Sequence, residues 1–104
     1  MIGGSMDLEL HILHKLCELA QLFDVEKLVL FGSRARGNNH IRSDIDLAVW
    51  GIKGAGEYLD FQEAVEEQVM TLLRFDIVDM GGISVSDNLR SEIAKDGVVL
   101  YEKV

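Results

Sequence analysis

The chain has 104 residues, 48 % of them hydrophobic and 27 % charged, and its 10 basic against 18 acidic side chains give a formal net charge of −8. That length sets a single domain with one core, and the acidic balance excludes a general field attraction to a nucleic-acid backbone, so no long duplex is expected as a partner. The single Cys17 leaves no internal disulfide, and no stretch is apolar enough for a membrane span or a secretory signal, which makes a cytoplasmic location the expectation.

Residues 1–6 are glycine-rich and end on a second methionine, Met6, so they read as a flexible tail or a remnant of expression, with the domain expected over residues 7–104. From Asp7 to Phe23 the residues Leu8, Ile12, Leu16, Leu19 and Phe23 recur at spacings of four, four, three and four, the period of one helix face, with Asp7 as N-cap. His11, His14 and Cys17 stand at successive threes on that helix. They are zinc-ligand types, but no fourth ligand is evident, and two solvated histidines with a small buried thiol is the favoured reading.

Leu28 to Phe31 is a short apolar run closed by Gly32, which fits a strand buried on both faces. Ser33 therefore stands where the strand emerges. Gly32, lacking Cβ, lets a phosphate approach the backbone, Ser33 offers an N–H and a hydroxyl, and Arg34 and Arg36 supply charge. Pairing with surface acids is an equal alternative for each arginine. In the polar loop that follows, His40 is expected to face solvent.

From Asp44 to Trp50 the pattern alternates, with Asp44, Asp46 and Ala48 on one face and Ile45, Leu47 and Val49 on the other. Two carboxylates sharing a face, with no lysine or arginine between them, repel each other. A divalent cation relieves that repulsion, and magnesium is the cation expected.

Glycines at 51, 54 and 56 mark a loop, and Glu57 to Arg74 reads as an amphipathic helix with Tyr58, Phe61, Val65, Val69 and Leu72 on its apolar stripe and a solvated acidic face. Phe75 to Asp79 then suits a strand. Asp76 within it is costly to bury unless paired or bound to metal, whereas Asp79 faces the other way and begins a turn. Ser84 or Ser86 can cap a helix carrying Leu89 and Ile93, Gly97 ends it, and Val98 to Tyr101 is the last strand. The short link between the first two strands makes them antiparallel neighbours. The fold class is α/β: one small domain with a mixed sheet, helices packed mainly on one face and a more open polar face holding Ser33, Asp44, Asp46 and Asp76.

Gly32-Ser33, ten intervening residues, then Asp44-Ile45-Asp46 resembles the signature of the DNA polymerase β nucleotidyltransferase superfamily in its smallest form, the minimal nucleotidyltransferases. Neither half is specific alone; their spacing, each beside a strand, carries the likeness, which extends over nearly the whole domain. The resemblance implies an α/β nucleotidyltransferase core and aligns Asp76 as a third acidic residue beside the pair. It implies ATP as substrate and two magnesium ions, held by Asp44, Asp46 and Asp76, with Gly32 and Ser33 gripping the triphosphate and Arg34 or Arg36 assisting. Larger relatives carry further domains that present the acceptor, so the acceptor is expected to be held by another protein or by a second copy of the chain. Many minimal members are antitoxins paired with HEPN-domain toxins, and some transfer AMP to a tyrosine of the toxin, which is the leading functional expectation. The alternatives are an antitoxin with little or no transferase activity that neutralises its partner by binding, and, more weakly, transfer to a small molecule such as an antibiotic.

Overall fold

The computed structural model describes residues 7–82 and 85–104; the tail expected over residues 1–6 and the alternative cap Ser84 lie outside them. The first helix, α1 (Leu10–Leu22), buries Ile12, Leu16 and Leu19 of the predicted stripe together with Ala20, while Leu8 and Phe23, just outside the helix, are partly buried against the same core. It begins three residues later than Asp7. Glu9 is its N-cap without a side-chain hydrogen bond, and Asp7 is drawn instead toward the loop after the first strand, where its Oδ2 accepts from Asn39 Nδ2 at 2.8 Å.

Strand β1 (Lys27–Phe31) leads into a one-turn helix, α2 (Ser33–Arg36), then β2 (Ile45–Trp50), helix α3 (Ala55–Gln68), strand β3 (Phe75–Asp79), helix α4 (Asp87–Asp96) and strand β4 (Val98–Glu102). The sheet order is β3-β2-β1-β4, with β1 antiparallel to both β2 and β4 and β2 parallel to β3. The sheet is therefore mixed, as the sequence predicts.

Its two faces follow from alternation. Ile45, Leu47, Val49 and Ile77 point to the side covered by α1 and α3, where they join Leu16, Leu19, Phe61 and Val65 in the main core. Phe23 meets Phe61 edge to face, with ring centroids 5.3 Å apart. On the opposite side Val29, Phe31 and Ala48 pack with Met80 and with Ile93 of α4 in a smaller cluster. That one helix covers part of the second face and leaves the ends of β2 and β3 that carry Asp46 and Asp76 uncovered.

Helix α3 stops at Gln68, six residues before the expected end, and Leu72 is fully exposed rather than part of the stripe. Val69 is already extended, and Thr71 Oγ1 accepts from Leu73 N–H at 3.1 Å, a local bond that competes with the helical one. The chain needs this turn to bring Leu73 and Phe75 back onto the core and enter β3. Ser86 caps α4 as expected, its Oγ accepting from Leu89 N–H at 3.1 Å.

Of the three residues weighed as a zinc set, His11 Nε2 lies 3.0 Å from the Met70 carbonyl, His14 is exposed, and the Cys17 thiol donates to the Leu100 carbonyl at 3.2 Å. The thiol's pKa is raised by burial. Tyr58, from α3, donates its hydroxyl to the Ile77 carbonyl at 2.5 Å.

Candidate functional site

The site forms where three strands end side by side. Phe31, the last residue of β1, pairs with Asp46, and Asp46 in turn pairs with Asp76 across the parallel ladder. Neighbouring strands lie about 4.8 Å apart, so two aspartates on matching positions of one face are held at close quarters by the backbone itself. Asp44, expected as the first residue of the strand, stands one residue ahead of β2 and is exposed; Asp46 is half-buried and Asp76 exposed.

Gly32 ends β1 at φ +76°, and a Cβ there would run into the Asp46 carboxylate. The glycine thus has a structural task besides any approach of a ligand: its missing side chain is the space the carboxylate occupies. Ser33 follows as the first residue of the one-turn helix.

The electrostatics mark Asp46 as the focus. Its pKa is raised from 3.8 to about 6, first by burial and then by the charges of Asp76, Asp44 and Glu92, with Arg36 opposing. Among the described residues no three His, Cys, Asp or Glu side chains close around a single point as a metal cage would. The aspartates are an open row. Magnesium commonly takes only one or two carboxylates and keeps water and phosphate oxygens for the rest, so an open row of mutually repelling carboxylates fits it.

The two arginines separate. They are two residues apart on a helical turn, hence about 200° apart around its axis, and face opposite ways. Arg34 is 5 % exposed. Its Nε donates to the Ser43 carbonyl at 3.0 Å, Nη2 to Ile41 O at 3.1 Å and Nη1 to Asp7 O at 3.3 Å, with Asp7 Oδ2 3.7 Å away. This guanidinium ties the loop between α2 and β2 to the segment before α1. His40 N–H donating to Ser43 Oγ at 2.8 Å tightens the same loop, and the histidine itself is exposed. Arg36 lies on the other side of α2, its Nη1 3.6 Å from Glu92 Oε2 and 3.7 Å from Asp96 Oδ2.

Glu92 and Asp96 were not singled out by sequence. Their signal was present, since positions four apart on a helix share a face, but nothing local placed that face beside Asp46. Asp79 accepts from Gly81 N–H at 3.0 Å through Oδ1 and begins the turn after β3.

Residues 14–104 match the family model described as polymerase beta, nucleotidyltransferase. The chain belongs to that family. No curated protein matches the sequence. Among solved structures, this nucleotidyltransferase domain is similar to a candidate minimal nucleotidyltransferase at 27 % identity and a TM-score of 0.69, covering 92 % of this chain and 98 % of the other. It is also similar to a toxin–antitoxin complex with AMP-PNP, at 23 % identity and a TM-score of 0.71, covering 88 % of this chain and 73 % of that one. A third similar structure is the tri-AMPylated Shewanella oneidensis HEPN toxin in complex with MNT antitoxin, at 20 % identity and a TM-score of 0.65, covering 88 % and 71 %. At such identities the last two likenesses speak for a shared fold. The predicted α/β nucleotidyltransferase core is thereby established.

Proposed function

We propose that this domain, residues 7–104, is a magnesium-dependent nucleotidyltransferase that moves AMP from ATP to a hydroxyl of a protein partner, a tyrosine of a HEPN-type toxin, and so acts as an antitoxin in the cytoplasm. The observation that carries the reading is the register that sets Asp46 against Asp76 beside the Gly32-Ser33 turn. An occluding protein has no need of a row of repelling carboxylates. The partner class is taken from the similar complexes of HEPN toxin and MNT antitoxin, and the nucleotide from the similar complex with AMP-PNP.

Asp44, Asp46 and Asp76 would hold two magnesium ions, which when bound neutralise charge on the triphosphate and lower the pKa of the attacking hydroxyl. Gly32 and Ser33 receive the phosphates, the first by leaving room and the second by its N–H and hydroxyl. Arg36, partly exposed, meets phosphate charge, while Arg34 holds the loop that carries Asp44. The acceptor oxygen forms its bond to the α-phosphorus as the bond to the pyrophosphate oxygen breaks, and Asp76 takes the acceptor's proton. Asp46, the half-buried member of the row, would serve as a metal ligand.

The test is to recover the native partner with the protein, incubate the complex with ATP and magnesium, and record intact masses beside an Asp46→Asn control. Gain of AMP on the partner, absent from the control, is the expected result. A tight complex in which neither chain gains mass favours the occluding antitoxin instead.

A further inference from the structure

Arg36 is the guanidinium of the site that remains within reach of solvent, with its side chain 38 % exposed. Its two ionic partners, both on α4, stand at 3.6 and 3.7 Å, well beyond the ~2.8 Å of a tight charge-assisted hydrogen bond. They are one helical turn apart and converge on the same Nη1. Glu92 and Arg36 are both among the charges felt by Asp46, with opposite signs, so the pair on α4 and α2 is near enough to the strand-end carboxylates to act on them. Helix α4 packs through Ile93 on the same sheet face that Asp46 occupies, which fixes this placement through the core rather than through a mobile loop.

We propose that Glu92 and Asp96 are a carboxylate clamp that occupies Arg36 in the nucleotide-free protein and is displaced by the phosphates of an incoming nucleoside triphosphate. The inference rests on the nucleotidyltransferase reading and adds to it a positioning device for the phosphate-binding arginine. Two carboxylates at long range satisfy a guanidinium's charge but not its fork of donors, whereas a phosphate can take that fork bidentately. Exposed pairs of this kind are weak, so the clamp yields to a ligand of higher charge. Its consequence is selectivity. A ligand without a phosphate at this position leaves Arg36 on α4, and only one that draws the arginine away completes the site.

Calorimetric titration with the magnesium complex of a non-hydrolysable ATP analogue tests the clamp. The paired change Glu92→Gln with Asp96→Asn is expected to tighten binding roughly three- to tenfold, as removal of a weak competing pair allows. Glu63→Gln, on the exposed side of α3 across the sheet, is expected to leave it unchanged. In an Arg36→Gln background the paired change is expected to give no further gain. Binding as tight as wild type or weaker in the paired variant, or a gain that survives in Arg36→Gln or is matched by Glu63→Gln, overturns the clamp while leaving the nucleotide site standing. Absence of binding in every form, wild type included, overturns both. Hydrogen exchange decides where Arg36→Gln abolishes binding: nucleotide is expected to speed exchange at the last turn of wild-type α4, and slowed or unchanged exchange there refutes displacement.

Discussion

Replacing Asp46 by asparagine is expected to stabilise the metal-free protein at neutral and alkaline pH. The carboxyl's pKa is raised from 3.8 to about 6, burial being the main cause and Asp76, Asp44 and Glu92 adding to it. Below the lower value the group is protonated in folded and unfolded chains alike and carries no penalty. As pH rises through about 6 the folded protein must ionise it against burial and like charge, and above that the full penalty is present. The interval corresponds to ~3 kcal/mol. Because the side chain is only half-buried, solvent screening reduces this to ~1–1.5 kcal/mol. For a domain of this size such a gain raises Tm by roughly 5–10 °C. Thermal unfolding of both proteins by circular dichroism, in chelator at about pH 8 and again at about pH 4, measures it, with most of the difference expected to vanish at the lower pH. Equal or lower stability of Asp46→Asn at the higher pH, or a gain that does not shrink on acidification, would refute the electrostatic account. Magnesium in place of chelator should stabilise the wild type and not the variant.

Arg34→Ala removes donors from three carbonyls at a nearly buried site, and a loss of about 2–4 kcal/mol in urea unfolding is expected, with the loop between α2 and β2 becoming the first site of proteolytic cutting. Gly32→Ala collides with the Asp46 carboxylate and strains a positive φ; combining it with Asp46→Ala should recover the collision part of the loss, so the two changes are expected to be non-additive by about 1 kcal/mol or more in a double-mutant cycle. Leu72→Ser should shift stability by less than about 0.5 kcal/mol, whereas Leu16→Ala in the core should cost about 2–5 kcal/mol, both read by urea unfolding. Cys17, its thiol raised by burial and donating to Leu100 O, should alkylate slowly in the native protein and rapidly once unfolded, as followed by intact mass.

The elements legible in the sequence were those with a long or strict period. The stripe of α1 gave its buried face, and the alternation in β2 put Asp46 opposite to Ile45 and Leu47, which is how the strand lies. Asp76 could be preferred to Asp79 on parity, and its pairing with Asp46 bears out the shared face. What was not legible depended on contacts distant in sequence. Helix α2 is one turn long and leaves no periodicity, so the opposite facing of Arg34 and Arg36 was hidden, and with it the enclosure of the first. Asp7 has the composition of a cap but is held by Asn39 and Arg34. Leu72 continues the helical spacing beyond the point where the chain must turn to enter β3. Glu92 gains meaning only when Ile93 seats α4 beside Asp46.

The hydroxyl of Tyr58 on the Ile77 carbonyl has a consequence for the chain among its own kind. Strand β3 lies at the margin of the sheet, and since Ile45 N–H reaches Arg74 O and Met80 N–H reaches Val49 O, the even-numbered residues face β2 and the Ile77 carbonyl faces outward. An outward row of this kind invites another chain to add itself and begin an aggregate. At the opposite margin the Leu100 carbonyl of β4 is taken by the Cys17 thiol. Each margin is thus interrupted by one side chain of the helix packed beside it, at Ile77 on the strand that bears Asp76 and at Leu100 on β4, so a chain adding to either edge meets a carbonyl already taken.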